Sequence, residues 1–211
     1  MGGAAGLTTG GPPLGRTVDD WRAATLWIMP DTPALVSVLG TQWAESERWN
    51  TKIRGLFRVR VEATSLPPMR FLDWTIDGTS LRDRLRYPDG APCRDVTFMT
   101  AGSVGDPFLM ESLRALLLEN ESGFDPWVQF TDGRAGLLFC EQCGDLGCGA
   151  VSADVWMSDT TVEWRNIAYQ DGTTGEINTD EVTAFTIRFD REQYEATVRA
   201  LMTWPIDPPL P

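Results

Sequence analysis

The sequence contains no histidine, and only one of its 18 basic side chains is a lysine, Lys52. Without an imidazole there is no Ser-His-Asp or Cys-His nucleophile. His-ligated metal sites of the carbonic-anhydrase or HExxH kind are excluded as well. Acid–base chemistry near neutral pH would fall to a carboxylate, Cys, Tyr or Lys with a displaced pKa, and nothing around Lys52 marks a Schiff-base site. No run approaches 18 apolar residues, so no transmembrane helix is expected. The opening MGGAAGLTTGGPPLGR has neither the basic n-region nor the apolar h-region of a secretory signal. These absences point to the cytoplasm of a bacterium, where the four cysteines would stay reduced rather than form a disulfide framework. There is no internal repeat and no GxxxxGK[ST]. Gly144-x-x-Gly147-x-Gly149 lies between strands instead of opening a helix, so it is no phosphate cradle.

Charge is present but unevenly placed. The net charge is −12, yet residues 1–100 carry 12 basic and 11 acidic side chains, whereas residues 101–211 carry 6 and 19. The acidic half argues against nucleic acid as the main partner, because phosphate contacts need a positive face. Arg54, Arg58, Arg60, Arg82, Arg84 and Arg86 form a local basic group that reads as a solvated face. The acidic half would attract a basic protein.

The 211 residues suit one domain with appendages. Composition marks a Gly/Pro-rich tail at 1–16, a single domain at 17–204 and a Pro-rich tail at 205–211. Short apolar runs at 25–29 and 34–39 flank a PDTP turn and read as strands. TQWAESERWNTKI (41–53) lacks Gly and Pro and reads as a helix. FRVRVE (57–62) alternates as a strand that SLPPM ends, and FLDWTIDG (71–78) is another that stops at Asp77-Gly78. A short helix follows in TSLRDRLR. In DPFLMESLRALLLEN (106–120), Asp106 can cap and Pro107 can open a helix with Leu109, Leu113, Leu116 and Leu117 on one face. From Trp127 to Tyr169 consecutive strands are expected, the first two joined by a turn at Asp132-Gly133. In the last of them Val162, Trp164 and Asn166 oppose Glu163, Arg165 and Ile167. A polar loop leads to a strand at 182–189. A final helix at 190–202 has Asp190 and Gln193 at capping-box spacing. The expected fold is α+β, mostly antiparallel, with a C-terminal β-meander and about four helices.

The most informative segment is FCEQCGDLGCGAV (139–151). Cys140-x-x-Cys143-Gly144 has the form of a zinc knuckle, in which two thiolates converge and the glycine leaves backbone N–H groups free to bond sulfur. A structural zinc takes four ligands, and the chain offers Cys148 as a third and Cys93 as a fourth, but no second CxxC. A thiol redox site uses the same spacing but needs a helix N-terminus to lower the thiol pKa, and here a Gly-rich turn follows. A third account is a plain turn between strands, in which glycines adopt positive φ and small cysteines pack tightly.

The string C-x-x-C-G-D-L-G-C-G, followed by alternating residues and T-V-x-W, resembles a family of uncharacterised bacterial proteins. The resemblance covers residues 126–169, with an echo at FDREQYEA. It implies a recurrent module and brings no activity or catalytic residues with it. Among other candidates, Asp73, Asp77 and Asp83 lie near Trp74 and read as a solvated face and a turn rather than an acid–base pair. Asp125, Asp132 and Asp145 flank turns, where Asp bonds its own backbone. Trp127, Trp156 and Trp164 lie in the β run beside the cysteines and are candidate partner-binding aromatics. Two functional readings follow. One is a non-enzymatic binding or accessory protein, for example of immunity type, whose acidic and aromatic surface masks a basic partner. The other is a small protein with a Cys-only structural zinc, or a thiol redox enzyme, built on Cys140, Cys143, Cys148 and Cys93. Neither involves a membrane.

Overall fold

Asp106 and Pro107 start a helix for the reasons their chemistry gives. In the computed structural model, α1 spans Pro107–Leu116, and Asp106 Oδ1 accepts hydrogen bonds from the N–H groups of Phe108 and Leu109 at 2.8 and 3.2 Å. Leu109, Leu113 and Leu116 form its buried face. The structure describes residues 35–54, 60–87, 90–100, 103, 105–119, 128–177 and 185–203. The expected tails at 1–16 and 205–211 and the strand at 25–29 lie outside them. Among the described residues no helix is long and apolar enough to cross a membrane.

The first sheet is a long antiparallel hairpin, β1 (Leu39–Arg54) with β2 (Arg60–Ile76), plus the two-residue β3 (Thr79–Ser80). Segment 41–53 is therefore a strand, not the expected helix. The helix reading rested on missing breakers. No apolar stripe at helical spacing supported it, and cross-strand pairing with β2 decided the outcome. Nor does SLPPM end β2. Its two prolines sit where the ladder already shifts register, between the pairs Ser46↔Met69 and Arg48↔Leu66, so no ladder donor is lost. The Asp77-Gly78 stop is a two-residue hairpin turn with both φ values positive, 54° and 78°.

The second sheet is the expected meander. β4 (Ala135–Phe139), β5 (Ala150–Met157), β6 (Thr161–Gln170) and β7 (Phe185–Asp190) pair antiparallel in chain order. The Asp132-Gly133 turn leads into β4, with Gly133 at φ 87°. In β6 the alternation breaks at Asn166, which has φ 52° and faces solvent, so that Ile167 is buried instead. The ladders on both sides of β6 shift there. The buried guanidinium of Arg134 fills the gap, donating to the carbonyls of Ser152 and Asn166 at 2.9 and 2.6 Å. α2 (Arg191–Thr203) follows β7 directly. Asp190 caps it by accepting from the Gln193 N–H at 2.9 Å. The Gln193 side chain does not close a capping box; it exchanges hydrogen bonds with the backbone of Leu39.

The architecture is thus α+β with two mostly antiparallel sheets and seven strands, and two helices among the described residues rather than about four. The segment read as a short helix after β3 is a single 3-10 turn, Arg82–Arg84. Leu81 and Leu85 are buried on either side of it without a longer helix.

The two sheets meet through aromatic rings. Trp164 of β6 packs edge-on against Trp74 of β2 at 5.8 Å and against Phe189 of β7 at 5.1 Å. Tyr194 of α2 lies in the same cluster with its hydroxyl fully buried. That hydroxyl accepts from Trp164 Nε1 at 2.9 Å and donates to the Leu116 carbonyl at 2.9 Å. It therefore satisfies one of the free carbonyls at the end of α1. Removing it leaves a buried N–H and a buried C=O unpaired. We expect Tyr194→Phe to lower stability by about 2–4 kcal/mol in denaturant unfolding; a loss below about 0.5 kcal/mol contradicts this role.

Candidate functional site

The cysteine loop hangs from a doubly clamped strand end. Phe139 closes β4 and pairs with Ala150 of β5 on one side. On the other side it exchanges two backbone hydrogen bonds with Val96, at 2.7 and 2.8 Å. The chain leaves the sheet at Cys140 and returns at Ala150, so its excursion has fixed ends. Gly144, at φ 64°, donates its N–H to the Cys140 carbonyl at 2.9 Å. Asp145 bonds its own turn, accepting from the Gly147 N–H at 2.8 Å, and opens the 3-10 turn Leu146–Cys148. Leu146 anchors this turn in a small core with Phe130, Phe139 and Ala150. The Tyr169 hydroxyl of β6 donates to the Cys148 carbonyl at 2.5 Å.

This folding brings Cys140, Cys143 and Cys148 together. Their sulfurs all lie within 4.8 Å of one another, and Cys143 Sγ is 3.0 Å from Cys148 Sγ. The Asp145 N–H bonds Cys143 Sγ. Cys93 is not in the group; it is 7% exposed and packs in the main core. Burial pushes its thiol up to about 12, and Asp95 adds to the rise. Cys143 is also pushed up to about 12, by desolvation first and then by its contact with Cys148. No α-helix follows the CxxC, only the three-residue 3-10 turn.

A second feature adjoins the loop. Asp95 is 5% exposed, and its Oδ1 accepts from the Tyr87 hydroxyl at 2.8 Å. Its Oδ2 is buried and has no hydrogen-bond partner among the described residues. Burial lifts its pKa to about 6, the Tyr87 bond opposes the lift and Glu141 adds to it. The Tyr87 ring packs edge-on against Tyr169 at 6.1 Å, so the carboxyl and the loop share a support. Beside them a groove of about 240 Å³ has Cys140–Gly144 along one wall and Phe98, Phe108 and Arg48 along others. Sequence reasoning missed Asp95, Tyr87 and Tyr169. They come from separate segments, and no motif links them to the cysteines.

The remaining candidates do not converge. Asp73 is buried and accepts from Ser80 Oγ and from Arg82 Nε, the latter at 3.1 Å. Desolvation raises its pKa despite those bonds. Asp77 holds the Val38 N–H at 2.8 Å, and Asp83 is exposed. These are structural roles, without a paired acid and base. Asp132 accepts from the Arg134 N–H in its turn, and Asp125 lies outside the described residues. Trp164 is fully enclosed in the core and presents no surface; Trp127 lies outside the described residues. Trp156 is 41% exposed, with the Arg165 guanidinium 4.3 Å over its ring. Arg82 pairs with Asp73, while Arg84 and Arg86 bond backbone carbonyls.

Loop closure has one demanding position. Gly149 has φ 92° and ψ 167°, a region open essentially to glycine alone. A Cβ there would collide with the Tyr169 hydroxyl and the Gln170 carbonyl. Gly175 has a similar φ of 73° but open space around it. Gly149→Ala should cost about 3 kcal/mol or more, as strain and overpacking add, against about 1 kcal/mol for Gly175→Ala. Equal losses in chemical denaturation contradict the close approach. Against protein-family models, curated proteins and solved structures, the chain matches none.

Proposed function

We propose that the protein is a zinc-binding protein whose ion is held by the thiolates of Cys140, Cys143 and Cys148. The observation that carries this reading is the mutual approach of three sulfurs in one loop. Thiolates on a zinc at about 2.3 Å sit about 3.8 Å apart in a tetrahedron. The observed group needs little movement to reach that geometry. Soft sulfur donors select zinc over hard cations. The ion would tie both arms of the β4–β5 loop together and so set one wall of the adjoining groove. Cys93 has no part in it.

The zinc reading is preferred to the partner-masking one on a specific ground. Of the three tryptophans that would form an aromatic surface, only Trp156 is exposed among the described residues, and a guanidinium covers its ring. That face is poorly suited to a basic partner. The redox reading is disfavoured by the backbone that follows Cys143, a three-residue 3-10 turn where a thiol redox site needs an α-helix N-terminus.

Metal analysis of protein purified under reducing conditions and reconstituted with zinc tests the proposal. We expect about one zinc per chain, lost in Cys143→Ser and in Cys148→Ser and kept in Cys93→Ala. A wild-type content below a few tenths of an equivalent sinks the reading. So does retention of the metal by both serine variants.

A further inference from the structure

We propose that Asp95 is the acidic partner of this zinc site: its free Oδ2 accepts a hydrogen bond from a water that fills the metal's fourth coordination position. The inference rests on the three-thiolate reading and says what completes it.

The first support is register. Val96 and Phe139 exchange both backbone hydrogen bonds as an antiparallel pair. One position further along, the same register sets Asp95 opposite Cys140. Opposed residues in an antiparallel pair point to the same face. The carboxyl and the first thiol therefore share a side of the backbone.

The second support is an unanswered polar atom. Asp95 is 5% exposed, Oδ1 is taken by Tyr87, and Oδ2 is buried without a partner. Buried carboxylate oxygens are nearly always satisfied, and an exception needs an explanation, of which a bound water is one. Among the described residues the other buried polar atoms in the same condition are Arg48 Nε, Arg70 Nε and Asp73 Oδ1. None of them belongs to the segment opposite Cys140.

The third support is mechanical. Tyr87 holds Oδ1 and stacks edge-on with Tyr169, and Tyr169 holds the Cys148 carbonyl. Asp95 is thus braced against the far end of the same loop whose near end it faces. A carboxylate placed by packing rather than by free rotation is what an outer-sphere partner requires.

Among the described residues no carboxylate oxygen lies within 4.8 Å of all three thiols. Donors on one tetrahedral zinc lie closer together than that, at about 3.8 Å or less. Asp95 therefore stands outside the inner donors, and the proposed water is what would join it to them. Three protein ligands and a water are the arrangement of open zinc sites, not of closed structural ones. Cys140 and Cys143 also line the groove, so the open position would be reached from it.

Asp95→Asn separates this idea from its foundation. Two readouts are needed: zinc affinity by competition with a chromophoric chelator, and the absorption spectrum of the cobalt-substituted protein. The variant should bind zinc about 10- to 100-fold more weakly. It should keep the thiolate-to-cobalt charge-transfer band of three sulfurs while its ligand-field bands shift. Unchanged affinity, or unchanged ligand-field bands, overturns the role of Asp95 and leaves the three-thiolate site intact. A reduced charge-transfer band would instead show that the sulfur ligands were disturbed, and it too overturns the proposal. If wild type binds no metal, the underlying reading fails first. Should Asp95→Asn not fold, Tyr87→Phe frees Oδ1 and is expected to shift the ligand-field bands in the same way; no shift is the contrary result.

Discussion

A single buried hydroxyl joins the parts of this fold that would otherwise be independent. Tyr194 Oη sits between Trp164 of the second sheet and the last carbonyl of α1, and its ring completes an aromatic cluster with Phe189. Through Trp164 that cluster reaches Trp74 in the hairpin sheet. Two helices and both sheets thus converge on one satisfied polar group in an apolar setting. In such a setting a hydrogen bond is worth more, and its loss costs more, than at the surface. The cluster holds β6 in place, and with it the meander that carries the cysteine loop.

The loop itself shows how little is needed to gather three thiols. Phe139 is clamped by strands on both sides, so Cys140 emerges at a fixed point. Glycines at positive φ turn the chain twice, at Gly144 and Gly149. Leu146 fills a hydrophobic pocket between them, and Tyr169 ties down the Cys148 carbonyl. None of these contacts involves sulfur, yet together they bring three sulfurs toward one another. A metal bound there would add to an arrangement that the backbone already favours, so less of its binding energy would be spent on ordering the loop.

Much of the second half of the chain could be read from its residues. Local chemistry there agrees with the tertiary result: Asp106-Pro107 starts α1, Asp132-Gly133 turns a hairpin, and Phe185, Ile187 and Phe189 alternate along β7; in the first half Asp77-Gly78 does the same for β2 and β3. The failures share a cause. Segment 41–53 has no strong local preference, and a partner strand some twenty residues away decided its state. Asn166 bulges because Arg134, from another hairpin, satisfies the carbonyls it frees. At the site, the three clustered cysteines were legible from spacing, whereas the reach of Cys93 was not, since sequence distance says nothing about which core a thiol enters. Asp95 was invisible for a similar reason. Its significance lies in a cross-strand register and in an oxygen left without a partner, neither of which has a motif.

The central claim concerns what surrounds the metal, and X-ray absorption at the zinc edge of the reconstituted protein reads that directly. The account predicts three sulfur neighbours at about 2.3 Å and one oxygen at about 2.0–2.2 Å. A shell of four sulfurs, or one with fewer than three, would contradict it.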